Sequence, residues 1–446
     1  MKTIHKPLLA LLLTAGIGGE MAAAQTPPVV SLDQAVQSAL QNNNAFKLST
    51  TRVKLAEARL QQTKENELPQ ASASLSYSRY DLLNAFSLGA PGSSEAALTI
   101  PKGAFNATMG GVTVRKELFG GFAEKSARVS AELLAQASHL DADKDQAELT
   151  YNVAASYFNI VKIIKSASII AQNIRQTEER EREVKNLEKE GIVTANEVLK
   201  IQLQKNNLQL SQLEVNKARE TALFNFALLI GHPEQQAFTV DTTLNEQLVA
   251  LAPVNDYIVR ALRDRQEVKA NDLRIRAAES AFRTTKSAFY PHLGLSAGYN
   301  YINPTKELFP KANSFVNAWN VGLGLSYNIG TLYGWKGRVH ESKLNIEAAN
   351  LQQNQQSEQI RNEVFSNYNA YQLAHEKLTV IRTAVTQATE NYRLTESRFR
   401  NGLVLASDLL DAEDFLLQAQ LNLVNSTIDA RLAYHRLQKA VGETIK

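Results

Sequence analysis

The chain has 446 residues, with 48 Lys and Arg against 45 Asp and Glu and a formal net charge of +3, so no basic surface for nucleic acid is indicated. Cys is absent, which excludes disulfides, thiolate metal ligands, a cysteine nucleophile and lipidation on Cys. Only 11 prolines interrupt long tracts rich in Gln, Asn, Ala, Leu and Glu, a composition that favours helix.

Residues 1–24 read as a secretory signal peptide. Lys2, His5 and Lys6 form a basic start, Leu8 to Ile17 an apolar core, and Met21-Ala22-Ala23-Ala24-Gln25 a small-residue cleavage site. No later stretch approaches the ~20 apolar residues of a spanning helix, so any span in the mature chain is expected to be built from strands.

A first structural repeat is expected over 25–252. Ser31 can cap a helix at Leu32, with Asp33 in its first turn, and a second helix through Leu48, Val53, Leu55 and Leu60 stops before Pro69. The period then changes to two. Gln70-Ala71-Ser72-Ala73-Ser74-Leu75-Ser76-Tyr77 alternates small polar with apolar residues, a strand over about 69–80. A weaker strand follows over about 108–118, where Gly110-Gly111 suggests a bulge. A helical hairpin over 124–230 turns at Gly191.

The second repeat, 253–446, restates this plan: helices, strands over about 291–302 and 318–329, and a hairpin over 335–441 that turns at Gly402. The hairpins align at an offset of 211 residues through Val153/Val364, Tyr157/Tyr368, Gly191/Gly402 and Gly231/Gly442, and the preceding strands at 222 through Pro69/Pro291 and Tyr77/Tyr299. Trp319, Val321, Leu323, Leu325 and Tyr327 alternate with Asn320, Gly322, Gly324 and Ser326. Aromatic-ended apolar faces opposite small, nearly uncharged ones fit a barrel with lipid outside and water inside; a soluble sandwich would carry Lys, Glu and Thr on its wet face. An unbroken helix from Glu124 to Glu190 would reach ~100 Å, three times a hydrocarbon core. Four strands cannot close a barrel, and open edges are not tolerated in lipid, so the chain must oligomerise.

The duplicated strand-strand-long-hairpin unit, the Leu118-Phe119-Gly120-Gly121 junction and the Gly402, Asp408, Asp411, Ala412 pattern together resemble the TolC family of outer-membrane efflux proteins. The resemblance covers essentially the whole mature chain. It implies a mainly α fold with a transmembrane β-barrel: a homotrimer whose 12 strands close in outer-membrane lipid and continue as a periplasmic α-helical barrel. It further implies an exit duct that passively conducts substrates from a periplasmic adaptor and an inner-membrane pump of the RND, ABC or MFS type, in efflux or in type I secretion. The alternative is a coiled-coil envelope spacer or adhesin that conducts nothing.

Asp408 and Asp411 share one helix face. In a trimer they would set two carboxylate rings across the narrow end, which by resemblance is the family's acidic constriction; read alone, Asp408 could equally serve as a helix cap. Glu197 is the acid of the first hairpin. Phe399 stands at a family aromatic position without its hydroxyl, and Val404 occupies the place of a lock arginine, with Arg398 and Arg400 nearby. The apolar residues Ile192-Val193 after Gly191 and Leu403-Val404-Leu405 after Gly402 are expected to dock the adaptor, or else to staple the hairpins. No P-loop, zincin, dinucleotide or nucleophile-elbow pattern is present, and the histidines are scattered, so neither an enzyme nor a cofactor or metal site is expected.

Overall fold

The computed structural model describes residues 28–89, 96–100, 102–232, 238–243, 249–303 and 316–443. The signal peptide expected over 1–24 lies outside them, as does most of the loop expected between the second repeat's strands. In chain order the elements are β1 (Val29–Val30), α1 (Leu32–Asn42), α2 (Asn44–Glu65), β2 (Gln70–Leu82), β3 (Phe86–Gly89), β4 (Ala96–Ile100), β5 (Gly103–Gly120), α3 (Ala123–Lys189) and α4 (Ala195–Ile230). There follow β6 (Thr239–Val240), α5 (Val254–Asp264), α6 (Gln266–Ser287), β7 (His292–Asn303), β8 (Val316–Ser326), α7 (Thr331–Gly334), α8 (Lys336–Arg400) and α9 (Ala406–Ala440).

Four strands form one antiparallel sheet in the order β2-β5-β7-β8, and within one chain the sheet does not close. Register places Tyr299 opposite Val112 and Trp319, and Ala297 opposite Val114 and Val321, so the apolar residues share one face. Ser296 opposite Arg115 and Gly322, and Gly298 opposite Thr113 and Asn320, make the other. The apolar face is bare: Leu75 and Trp319 are each 78% exposed and Leu325 73%. Gly110 and Gly111 hold unbroken register with both neighbours, so the bulge expected there is absent; the irregularity falls between Glu117 and Phe119, where the strand turns toward the helix. Two short pairings were not anticipated, the antiparallel β3–β4 ribbon and a parallel β1–β6 ladder.

The long helices α3 and α8 run 67 and 65 residues and return as α4 and α9. Each shorter return helix ends on the kink between two upstream helices. The Ile230 carbonyl at the end of α4 accepts from Ser38 Oγ at 2.9 Å, and the Leu229 carbonyl from Asn43 Nδ2 at 2.9 Å. At the end of α9 the Ala440 carbonyl accepts from Arg265 Nη1 at 3.2 Å. Gly231, at φ +66°, closes the first of these junctions, and a Cβ there would lie 2.4 Å from Asn42 Cβ. Glycine is therefore required by both conformation and space.

The core is a belt around the middle of the helices rather than a globule. Val153, Tyr157, Phe158 and Ile160 of α3 pack with Ala35 and Ala39 of α1, Phe226 and Ile230 of α4, and Ile428 of α9. Ile360 and Val364 of α8 pack with Ala261 of α5 and Ala440 of α9. The hydroxyl of Tyr157 lies 3.0 Å from the Asp241 carbonyl, and that of Tyr371 donates to the Val249 carbonyl at 2.9 Å, tying the connecting segments to the belt. The belt also draws on α3's most apolar part, which is still interrupted by Lys, Asn and Ser and is no run of ~20 apolar residues. An 18-residue window of α3 reaches a mean hydropathy of 1.3, and 44% of it is buried. Apolar residues gathered to bury a protein core pass the same test as residues gathered for lipid.

Candidate functional site at the hairpin tips

Both hairpins turn by the same device. Gly191 (φ +72°) and Gly402 (φ +70°) take the left-handed conformation that ends a helix. The Ile192 N–H reaches back to the Leu187 carbonyl at 2.9 Å, and the Leu403 N–H to the Arg398 carbonyl at 2.9 Å. Two orphan carbonyls are thereby satisfied, and the next residues are thrown outward. Ile192, Leu403 and Leu405 are 64%, 72% and 63% exposed, whereas Val193 and Val404 are half-buried. Val193 joins Phe399 and Leu410 around Val184, Val198 and Ile201, a small apolar cluster that holds the two hairpins side by side. The structure thus places Phe399 in packing between hairpins and divides the tip residues between a staple and a free apolar surface.

The acids differ in their surroundings. Asp408 and Asp411 are both exposed on one face of α9. An Asp408 carboxylate oxygen accepts from the Leu405 N–H at 3.1 Å, a helix-start contact, while Asp411 has no ion pair or hydrogen bond among the described residues. Asp414 continues the same i, i+3 row; it accepts from Gln204 Nε2 at 2.5 Å, and burial, then the Asp411 charge, pushes its carboxyl up. That third acid was legible in the spacing and was missed. Glu197 stands apart: its side chain is only 13% exposed and pairs with Lys200 at 3.1 Å. Arg400 pairs within its own helix with Glu396 at 3.1 Å.

The arginine that bridges the hairpins is Arg180. It is 11 residues before Gly191, as Glu413 is 11 after Gly402, so both sit ~16 Å above the turns. Arg180 Nη2 donates to the Tyr392 hydroxyl at 2.8 Å and lies 3.6 Å from Glu396, and its Nε lies 4.0 Å from Glu413. The side chains of Arg180 and Glu413 are 8% and 4% exposed. The second oxygen of Glu413 accepts from Thr177 Oγ1 at 3.4 Å. Burial pushes the Glu413 carboxyl up against the opposing pull of Arg180, and pushes the Tyr392 phenol up as well. One guanidinium therefore serves two carboxylates, and Arg180 Nε and Glu413 Oε2 form no hydrogen bond. At the next residue, Lys185 and Lys205 hold Glu181 well under the usual carboxylate range, at about 2. Among the described residues no group of His, Cys, Asp and Glu could hold a metal.

An open four-stranded sheet with a bare apolar face, prolonged by two helical hairpins far longer than a bilayer is thick, defines a protomer of an outer-membrane channel. The sequence profile of the outer membrane efflux protein family matches residues 35–232 and 257–443, and the chain belongs to that family. No curated protein sequence matches it. Its fold is similar to that of the outer membrane protein VceC of Vibrio cholerae, at TM-score 0.77, 18% identity, 93% of this chain and 97% of that one. It is similar also to CusC, at TM-score 0.77, 15% identity and 95% and 96% coverage. The open state of the Neisseria gonorrhoeae MtrE channel matches at TM-score 0.75, 18% identity and 93% and 89% coverage. The protein is accordingly an outer-membrane efflux channel extending into the periplasm, not an enzyme.

Proposed function

We propose that three copies of this chain form the exit duct of a tripartite efflux or secretion system, receiving substrate from a periplasmic adaptor and an inner-membrane pump. The carrying observation is the pairing of two unfinished surfaces at opposite ends: open strand edges on β2 and β8, and apolar tips beside unpaired acids. Strand edges left open in lipid are costly, and three sheets of four give an even, closable twelve. At the other end Ile192, Leu403 and Leu405 offer an apolar surface for adaptor hairpins. Asp408 and Asp411, on the exposed face of α9, line the passage as rings that concentrate cations. The test is conductance of the purified protein in a planar bilayer under a salt gradient. Wild type is expected to conduct and to select for cations, and Asp408→Ala with Asp411→Ala to move the reversal potential toward zero. No conductance would overturn the duct; an unchanged reversal potential would overturn the rings alone.

A further inference from the structure

Where the sheet passes into the helices, an open groove of about 410 Å³ lies between the start of α3 and the end of α6. Phe122, Lys125, Arg283, Lys286 and Tyr290 line it, and no carboxylate does. All three cations are exposed; Lys125 and Arg283 have no ion pair or hydrogen bond among the described residues, and Lys286 rests over the Phe282 ring at 4.9 Å. The opposite flank of α3 is arranged differently: Arg128 pairs with Glu67 at 2.7 Å and Lys116 with Glu124 at 3.2 Å. Positive charge is compensated toward α2 and left uncompensated toward α6.

We infer that this groove binds the phosphate headgroup of an anionic phospholipid of the periplasm-facing leaflet. Depth, direction and place in the assembly support that occupant. Lys125 is the third residue of α3 and Arg283 is four before the end of α6, so both lie within ~6 Å of the helix ends that meet the strands, at the level of a headgroup layer of ~5–7 Å. Phe122 meets Phe119 edge-on at 5.4 Å, and Phe119 pairs with Leu293 on the apolar face, so the groove opens toward lipid. Glu117 and Glu124 line the adjoining hollow that shares Phe122 and Lys125, and both already have partners there, His292 and Lys116. In the helical layer α3 and α6 lie between α2 and α8, which places the groove within a protomer rather than at an edge that a neighbour would cover. Gly121 makes it possible: at φ +61° a Cβ would lie 2.7 Å from the Ser287 carbonyl oxygen, and only glycine lets the end of α6 close against the start of α3. Exposed Phe122 and Tyr290 sit beside the phosphate site, where acyl chains begin.

The test is native mass spectrometry of the delipidated protein titrated with phosphatidylglycerol, phosphatidylcholine and, separately, glycerol 1-phosphate. At about fivefold per cation, three cations give wild type roughly a hundredfold preference for phosphatidylglycerol over phosphatidylcholine. Replacing Lys125, Arg283 and Lys286 by Gln is expected to reduce that to a few-fold, with Lys217→Gln as a neutral control. An unchanged preference in the triple variant overturns the site, and glycerol 1-phosphate binding as tight as the lipid overturns the lipid as occupant. Should the variant not fold, wild type alone decides: the preference must fall as salt rises, and a salt-independent preference refutes the inference. Conductance of the triple variant is expected to equal that of wild type, so failure here leaves the duct untouched.

Discussion

The Arg180 cluster yields the sharpest consequence of the packing between hairpins. In Arg180→Met the aliphatic stem is conserved, while Glu413, whose side chain is 4% exposed, loses the cation 4.0 Å away and keeps only the Thr177 hydroxyl. Removing one partner of a buried pair costs ~3–5 kcal/mol. Two features reduce this here: the geometry is loose, and Glu413, already pushed up by burial, can take a proton instead. A loss of about 2–3 kcal/mol remains, or roughly a hundredfold in local opening. Hydrogen exchange of residues 173–186 and 406–418 at neutral pH is the assay, because it reads the local opening of this cluster directly. Protection there should fall about a hundredfold, with the equatorial belt around Tyr157 unchanged. Glu413→Gln should cost less, since the amide can still accept from Thr177 and Arg180 keeps Glu396 at 3.6 Å. The double variant Arg180→Met with Glu413→Leu should recover most of the loss, because it removes both desolvated charges. Protection in Arg180→Met within twofold of wild type, or strict additivity in the double variant, would refute the reasoning.

Glu181 gives a pH signature of opposite origin. Its folded value of about 2 lies below the ordinary one, so its contribution is present above the ordinary carboxylate range and lost as pH falls from about 4.5 toward 2. Glu181→Gln should therefore lower the melting midpoint near neutral pH, by the equivalent of ~1–2 kcal/mol after allowing for screening, and match wild type near pH 2; a difference that persists unchanged into acid would contradict this. Gly231→Ala and Gly402→Ala separate strain from collision. Both positions need positive φ, but only Gly231 has a neighbour within 2.4 Å. Gly402→Ala should cost ~1 kcal/mol and Gly231→Ala at least ~2, read as midpoint shifts, and equal shifts would show that the junction with Asn42 yields.

Much of the fold was legible because its signals are long. Sixty-odd residues without proline, twice, leave few alternatives to helix, and period-two alternation in Gln70–Tyr77 and Trp319–Tyr327 marks strands with unlike faces. Local chemistry misled where two features share a signature. Gly110-Gly111 reads as a bulge, yet both glycines stay in register, Gly110 between Leu75 and Tyr301 and Gly111 between Ser74 and Asn300, and the real irregularity is at Glu117–Phe119, where the strand must bend. At the tips the sequence identified the turns and the exposed acids but not which apolar residues face inward. In both hairpins the first residue after the glycine, Ile192 or Leu403, is exposed and the second, Val193 or Val404, is half-buried, a split set by the course of the turn and not by side-chain type. Arg180 was missed because its partners lie more than 200 positions away, and no periodicity announces a contact at that range.

The duplication explains why the tips have the same turn, and the side chains explain why they cannot do the same work. The Glu197 side chain is 13% exposed and neutralised by Lys200 from its own helix, so this acid contributes little field beyond its surface. Asp408 keeps one oxygen free of the Leu405 amide, and Asp411 has no partner among the described residues. Of the acids at the starts of the two return helices, those of α9 are therefore the ones left uncompensated. The bridge formed by Arg180 ties that helix and α8 to α3, so the second hairpin is held to the first through the most enclosed ion pair among the described residues. A displacement that separates the hairpins must break this pair while the apolar clusters of the belt stay packed. A buried and imperfectly satisfied pair is suited to that role, since it fixes position without adding much stability.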